Sequence, residues 1–236
     1  MGIFGSKSLV WVPENEKLKE KILEVGSWQA KESFIGWKIC NDGSDLMKAV
    51  GACDSCSNFD FSYNGLGDKE ATTLAAALKR NFERNRKPPG QGNWGTIVKL
   101  NLSNNHIHAL GIKALCDSLL RGDPRERVCL EELILANNHA GPEGATAVGS
   151  VLSKNRVIKK VNLQWNNIGN AGINAICMAL GPHSKSCKVN ISFNHFDVSD
   201  PDVEWEEIPS HLSRVIGKPF SAVLVGWDDC PLTDLH

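Results

Sequence analysis

The hexapeptide Leu100-Asn-Leu102-Ser-Asn-Asn105 is the most informative stretch of the chain, because four other segments repeat its pattern. Each segment has an apolar residue, a variable residue, a second apolar residue, two further residues and then an asparagine. The five segments begin at Phe59, Leu100, Leu133, Val161 and Val189, and they end at Asn64, Asn105, Asn138, Asn166 and Asn194. Successive asparagines are 41, 33, 28 and 28 residues apart. A repeat of this kind is typical of proteins in which similar structural units stack on one another.

The residues that follow each asparagine also repeat. Glycine recurs six residues later, at Gly111, Gly144 and Gly172, with Glu70 in that place in the first unit. Apolar residues recur ten and fourteen residues later, at Leu74, Leu115, Val148 and Ile176 and at Leu78, Leu119, Leu152 and Leu180. Because positions four apart share one face of a helix, each unit is predicted to be a short strand, a turn, a helix and a return loop.

The repeated asparagine has a structural explanation. Its side chain carries two donors and an acceptor on a short stem. Where the chain leaves a strand, it can pair backbone groups of its own and neighbouring turns that would otherwise be buried without partners. We therefore predict a structural asparagine ladder made of Asn64, Asn105, Asn138, Asn166 and Asn194.

This pattern resembles the leucine-rich repeat family, whose consensus LxLxxNxL is matched closely by residues 100–107. The period of 28 residues with a full helix is similar to the ribonuclease-inhibitor-like subtype, which also occurs in Ran GTPase-activating proteins and NOD-like receptors. The resemblance covers about residues 57–196. It implies an α/β solenoid of about five repeats between two caps, with parallel strands on the concave face and helices on the convex face.

The chain divides into four predicted parts: an N-terminal tail over residues 1–12, an N-terminal cap over 13–56, the repeats over 57–196 and a C-terminal cap over 197–236. In the first cap we expect a degenerate strand over residues 34–40, Asn41 in the place of a ladder asparagine and a helix over 46–50. Residues 197–207 contain six acidic and no basic side chains. They are interpreted as a solvated cap loop or, alternatively, as a docking site for a basic partner.

The residues between the buried apolar positions of the strands are predicted to face the concavity. Trp165 and Phe193 should then lie side by side, since neighbouring strands are about 4.8 Å apart. Exposed aromatic area ringed by polar groups is typical of a protein interface, although the C-terminal cap could instead cover this pair. The predicted partner-binding residues are Tyr63, Asn104, Asn137, Trp165, Phe193, Asn101, Ile134 and Asn162.

The start Met1-Gly2-Ile3-Phe4-Gly5-Ser6 fits the pattern for N-myristoylation at Gly2, the alternative being an unmodified tail. One myristoyl chain holds a protein at a membrane only marginally, so the expected attachment is peripheral and reversible. No apolar run approaches the roughly 18 residues needed to span a bilayer, and no secretory signal is evident. The expected location is therefore cytoplasmic, with peripheral contact at the cytoplasmic face of a membrane.

Composition and motifs argue against nucleic-acid binding and against catalysis. The formal net charge is -1, which provides no general attraction for a phosphate backbone. No phosphate loop, HExxH or GxSxG motif occurs, and Cys53 and Cys56 form a single CxxC that we interpret as cap cysteines. Histidine follows the asparagine in three units, but Asn167 interrupts the row, so we predict no metal and no cofactor.

Two functional classes remain. The first is a non-catalytic interaction module or scaffold that binds a protein on the concave face and that Gly2 can deliver to a membrane. The second is a GTPase-activating protein resembling the Ran activator. That family carries more repeats and a long acidic tail, whereas the residues after Trp227 number only nine.

Overall fold

The computed structural model describes residues 20–22, 31–37, 39, 43–53, 56–84, 97–120, 129–180 and 187–194. Within these ranges, six strands alternate with five helices. In chain order they are β1 (Lys31–Ser33), α1 (Gly43–Ala52), β2 (Asn58–Asp60), α2 (Asp68–Arg84), β3 (Lys99–Asn101), α3 (Ala109–Leu119), β4 (Glu132–Ile134), α4 (Gly141–Lys154), β5 (Lys160–Asn162), α5 (Gly169–Leu180) and β6 (Lys188–Asn190).

The strands form one parallel sheet in the order of the sequence, from β1 to β6. The register is constant, so Leu100 of β3 lies between Phe59 of β2 and Leu133 of β4. Each helix packs against the helices before and after it. The predicted α/β solenoid with parallel strands is therefore confirmed.

The core lies between the sheet and the helices. The middle residue of each repeat strand is buried there, and the chain's periodic helix positions meet it from the other side. Leu115 on α3 and Leu133 on β4, for example, are each 2% exposed or less. Because the strands alternate their side chains, the residues that flank each middle position point away from the helices. We call that side the outer sheet face; it corresponds to the concave side of the resembled family.

The recurring glycine lies in the first turn of a helix, where that turn contacts the preceding helix. A Cβ on Gly172 of α5 would lie 2.8 Å from Ala145 Cβ on α4. A Cβ on Gly111 of α3 would lie 2.9 Å from Ala71 Cβ on α2. Only glycine lets the first turns of neighbouring helices approach so closely, which explains its place in the repeat.

The expected strand over residues 34–40 is wrong, because the strand is β1 at Lys31–Ser33. In the register, Glu32 of β1 stands opposite Phe59 and so takes the place of the first apolar residue. Glu32 is only 7% exposed, and its carboxylate lies 2.9 Å from Lys21 Nζ. Trp37, not Asn41, follows the strand at the distance at which Asn64 follows β2. This unit therefore has an ion-paired glutamate and a tryptophan in the places of the repeat's first apolar residue and its asparagine.

Several sequence predictions fall outside the described residues. They are the tail with the predicted acylation site Gly2, Asn41, His195 and the C-terminal cap over 197–236. The four-part division of the chain therefore stays a prediction. The helix expected over 46–50 lies inside α1. Among the described helices, none combines the length and the apolar character needed to cross a bilayer.

Candidate functional site

The repeated asparagines lie buried directly beyond the strands, where each side chain joins neighbouring turns. Asn105 Oδ1 accepts hydrogen bonds from the backbone N–H groups of Asn64 and Leu66, at 3.1 and 3.0 Å. Asn105 Nδ2 donates to the backbone oxygens of Phe61 and Leu102, at 3.0 and 2.9 Å. One side chain thus satisfies buried backbone groups on two consecutive units.

The same arrangement recurs along the stack. The Oδ1 atoms of Asn138, Asn166 and Asn194 each accept from a backbone N–H of the preceding turn. Asn64 differs, because within the described residues its buried Oδ1 has no hydrogen-bond partner. The asparagines are at most 4% exposed, so they hold the turns in place and offer no surface to a partner.

The candidate residues on the strands share one column of the outer sheet face. Asn101, Ile134 and Asn162 are register partners on β3, β4 and β5. Asn101 is held on both sides, since its Nδ2 donates to Asp60 Oδ2 at 3.0 Å and its Oδ1 accepts from Ser103 N and Oγ. Ile134 supplies an apolar step in an otherwise polar column.

The five other candidate residues lie beyond the strands, and not on them as the sequence reading placed them. The strands are only three residues long, so these residues occupy the turns just before the ladder asparagines. All five have left-handed backbone conformations: the φ angles of Tyr63, Asn104, Asn137, Trp165 and Phe193 are 59°, 56°, 52°, 58° and 57°. We call this row the turn column. Asparagine tolerates this conformation, whereas an aromatic residue there is uncommon.

The turn column changes character along the stack. In its middle, Asn137 Nδ2 donates to Asn104 Oδ1 at 2.8 Å. In the next two units the rings of Trp165 and Phe193 stack with centroids 4.5 Å apart and planes 7° apart. Trp165 remains 51% exposed. The structure therefore brings the predicted aromatic pair into contact and leaves half of the indole accessible.

Charged residues run along the opposite edge of the outer sheet face. Lys99 Nζ lies 2.9 Å from Glu132 Oε2, and the hydrogen bond from Lys99 is the main cause that lowers the pKa of the Glu132 carboxyl. Lys160 and Lys188 are register partners on β5 and β6, and both are exposed. Within the described part of the chain, neither has a carboxylate at ion-pair distance.

The remaining chemical groups do not form a reactive site in the described residues. His139 stacks on His106 and His108, with centroids 5.9 and 5.0 Å away, and no cluster of three or more metal-ligating side chains occurs in those ranges. Cys53 and Cys56 are buried in the cap. Burial is the main cause that raises the pKa of the Cys56 thiol to about 11, which disfavours the nucleophilic thiolate.

The left-handed backbone of the turn column is the feature that sequence reasoning missed, whereas the repeat spacing already places Lys99, Lys160 and Lys188 with Glu132 along one mixed edge. Asn-Asn at 104–105 and 137–138 carried a signal, since asparagine is enriched at positive φ. The aromatic members carried none, because their side chains disfavour the conformation that the turns impose on them.

Comparisons with known proteins agree with this architecture. A family model described as "Leucine Rich repeat" matches residues 96–116 and 154–177. The human "NACHT, LRR and PYD domains-containing protein 13" is 33% identical over 88 residues, which cover 37% of this chain and 8% of that protein. The solved structure "Leiomodin-1 Actin-Binding Site 2 (ABS2)" superposes with a TM-score of 0.54 at 20% identity, covering 72% of this chain and 88% of that one.

The likeness to the leiomodin structure supports the fold alone. The repeated hexapeptide, the in-register parallel sheet and the two family-model matches agree on the identity of the repeating unit. This chain thus carries leucine-rich repeats, which match the family model over residues 96–116 and 154–177.

Proposed function

We propose that this protein is a non-catalytic interaction module that binds a protein partner at the C-terminal end of the turn column and the adjoining outer sheet face. The observation that carries the proposal is the stacked pair of Trp165 and Phe193, in which Trp165 is half exposed. Rigid aromatic area among polar groups is the usual composition of an interface hot spot. The neighbouring amides of Asn162 and Gln164 supply such a polar surround.

The backbone supports the same conclusion. A left-handed conformation costs a residue other than glycine roughly 1–2 kcal/mol, with asparagine the best tolerated. Asn104 and Asn137 hold this place in the middle units, while Trp165 and Phe193 hold it in the last two. Residues kept in unfavourable conformations cluster at functional sites. Aromatic side chains at positions where asparagine would fold more easily therefore favour a role in binding.

The comparisons support only the general class of function. The leiomodin structure is named as an actin-binding site, so this fold can present a surface to a protein. The identity of this chain's own partner is not carried over from that similarity.

Loss of binding in the double variant Trp165→Asn/Phe193→Asn tests the proposal. The full chain and the variant are used as baits in native cell extract, and the proteins they capture are quantified by mass spectrometry. Purified partners should then bind the variant more weakly by about 2 kcal/mol or more, roughly thirtyfold in Kd.

A matched control places the same substitution on exposed apolar residues of the helices. Leu110 on α3 and Met178 on α5 are 75% and 76% exposed, so Leu110→Asn/Met178→Asn removes comparable apolar surface away from the proposed site. Capture of the same partners, with the same affinity, by the Trp165/Phe193 variant would exclude the proposed site.

We also propose that Gly2 is myristoylated and gives the module reversible contact with the cytoplasmic face of a membrane. The support is the N-terminal pattern Gly2-Ile-Phe-Gly-Ser6. Intact-mass measurement after eukaryotic expression should show one fatty-acyl group that disappears in Gly2→Ala. An identical mass for both proteins, after allowance for the substitution, would contradict this part.

The alternative is a GTPase-activating protein of the Ran-activator type, which belongs with the ribonuclease-inhibitor-like subtype that the 28-residue period resembles. It rests on that resemblance alone. A GTP hydrolysis assay with candidate small GTPases separates the two classes, because an interaction module leaves the hydrolysis rate unchanged.

A further inference from the structure

We infer that the partner presents an extended acidic segment, with carboxylates over Lys160 and Lys188 and an apolar side chain on Trp165 and Phe193. This inference rests on the proposed function and names the chemistry of its partner. It follows from the contrast between two neighbouring strand pairs of the same sheet. Lys99 and Asn101 of β3 have partners on the neighbouring strands β4 and β2, whereas Lys160 and Lys188 have no ion-pair partner and Asn162 leaves its N–H donors unused within the described residues.

The charges differ first. On β3 and β4, Lys99 and Glu132 are register partners and form an ion pair of 2.9 Å. On β5 and β6, Lys160 and Lys188 are register partners with the same charge. Lys160 is also the register partner of Glu132 on β4, and its charge contributes to lowering the pKa of that carboxyl, but the ion pair of Glu132 is formed with Lys99. Like charges opposite each other on adjacent strands destabilise a sheet. An anionic ligand placed between the two ammonium groups would remove this repulsion.

The amides differ in the same way. Asn101 Nδ2 on β3 donates to Asp60. Within the described residues, Asn162 Nδ2 and Gln164 Nε2 donate to no acceptor. The corresponding oxygens are engaged, since Asn162 Oδ1 accepts from Gln164 N at 3.0 Å and Gln164 Oε1 accepts from Asn190 Nδ2 at 3.5 Å. The surface therefore offers N–H donors and suits a segment rich in acceptors.

Trp165 and Phe193 of the turn column form the apolar end of the proposed binding surface. Trp165 follows Lys160 by five residues, so their Cα atoms are at most about 17 Å apart at roughly 3.3 Å per extended residue. An extended segment of similar length spans both ends. Its carboxylates would meet the lysines, its backbone oxygens the amides, and its apolar side chain the indole and phenyl rings.

A protein segment fits this surface better than a nucleic acid. The whole chain has a net charge of -1, which provides no general attraction for a phosphate backbone. Two local cations, two amide donors and one aromatic pair match the mixed groups of a peptide.

The experiment selects short random peptides displayed on phage against the full chain. We expect the bound peptides to be enriched in Asp and Glu and to carry an aromatic or aliphatic residue. Their affinity, measured by fluorescence anisotropy, should fall about tenfold or more in Lys160→Glu/Lys188→Glu and should weaken as salt is added. The control Lys79→Glu/Lys113→Glu makes the same change of net charge on exposed helix positions and should bind as the wild type does.

Other outcomes would overturn the inference. These are peptides enriched in basic residues, unchanged affinity after the lysine reversal, or tighter binding of an oligonucleotide through the same lysines. Self-association of the chain that Trp165→Asn/Phe193→Asn abolishes would assign the surface to a second copy. A tenfold or greater gain in peptide affinity after neutralising the six acidic residues of 197–207 would show that the chain's own segment occupies it.

The two proposals fail separately. If the aromatic variant loses its captured partners while the lysine reversal keeps them, the binding module stands and the acidic partner does not. If the selected peptides lose affinity in the lysine reversal but the aromatic variant still captures its partners, the site binds acidic peptides and the proposed function at Trp165 and Phe193 is wrong.

Discussion

At the scale of single residues, the buried asparagine is the connection between one repeat and the next. Asn138 Oδ1 accepts from Ile107 N at 3.1 Å, and its Nδ2 donates to Leu102 O and Leu135 O at 2.9 and 3.0 Å. Two of these three backbone groups belong to the preceding unit. The side chain therefore replaces water for groups that the stack has buried.

Asn138→Ala should lower the free energy of unfolding by about 1–3 kcal/mol, because it leaves buried backbone groups unpaired. Urea unfolding followed by circular dichroism measures the change. Asn137→Gly is the control, since Asn137 is exposed and glycine keeps the left-handed turn; it should cost far less. Equal midpoints for Asn138→Ala and the wild type would contradict the role of the ladder.

The turn column gives a second prediction at this scale. A substitution to glycine should here give a more stable protein than a substitution to alanine, the reverse of the usual order. Trp165→Gly should be more stable than Trp165→Ala by about 1 kcal/mol, since φ at this position is 58° and only glycine adopts it freely. Met178 is an exposed residue inside α5, where alanine should be the more stable by about 1 kcal/mol. Thermal unfolding of the four variants measures which of the two substitutions gives the more stable protein at each position. If the alanine variant is the more stable at both positions, the turn at Trp165 is not strained.

At the scale of elements, the spacing between helices is set by glycines that face backbone. A Cβ on Gly149 of α4 would lie 2.9 Å from Ala175 O on α5. The contacting atom belongs to the backbone, so it cannot rotate away as a side chain would. These two helices are therefore packed as closely as their backbones allow.

Gly149→Ala should destabilise the protein by about 1–3 kcal/mol, because overpacking forces α4 and α5 apart. In an open helix the same change would stabilise by roughly 0.5–1 kcal/mol. Ser150→Ala provides the matched control on the next, exposed residue and should be nearly neutral. The two free energies come from chemical denaturation, and a stabilised Gly149→Ala would show that the helices have room to spare.

At the scale of the whole molecule, the protein is a one-dimensional stack in which each unit contacts its neighbours. Asn105 Nδ2 and Asn138 Nδ2 both donate to Leu102 O, so adjacent ladder residues share a partner. Asn194 lies three units from Asn105 and shares none with it. Coupling should therefore be short-ranged, as nearest-neighbour energetics of repeat proteins require.

A double-mutant cycle tests this range. Asn105→Ser/Asn138→Ser should show an interaction energy of about 0.5 kcal/mol or more, while Asn105→Ser/Asn194→Ser should be additive within about 0.5 kcal/mol. Serine is chosen so that each variant keeps a hydroxyl and enough stability to be measured by urea titration. Strong coupling in the distant pair and none in the adjacent pair would be incompatible with a linear stack.

The unit that contains β1 was not predicted as a repeat, because its sequence departs from the pattern. The unit containing β1 replaces its first apolar residue by Glu32 and its asparagine by Trp37. Glu32 is acceptable in that buried place because Lys21 lies 2.9 Å away. This unit is the first of the described sheet, and the missing hydrogen-bond partner of Asn64 Oδ1 lies on its side.

Spacing alone was enough to predict the repeating unit, the parallel strands, the buried asparagines and the pairing of Trp165 with Phe193. Side chains two residues apart in a strand share a face, and so do side chains four residues apart in a helix. A repeated spacing of residue types in the sequence therefore predicts a repeated arrangement in the structure. The left-handed turns and the unused amide donors emerged only when the units were stacked. The backbone conformation and the pairing of charged and polar groups depend on the residues of the neighbouring unit. Residues 28 positions apart, such as Lys160 and Lys188, become neighbours only in the folded chain.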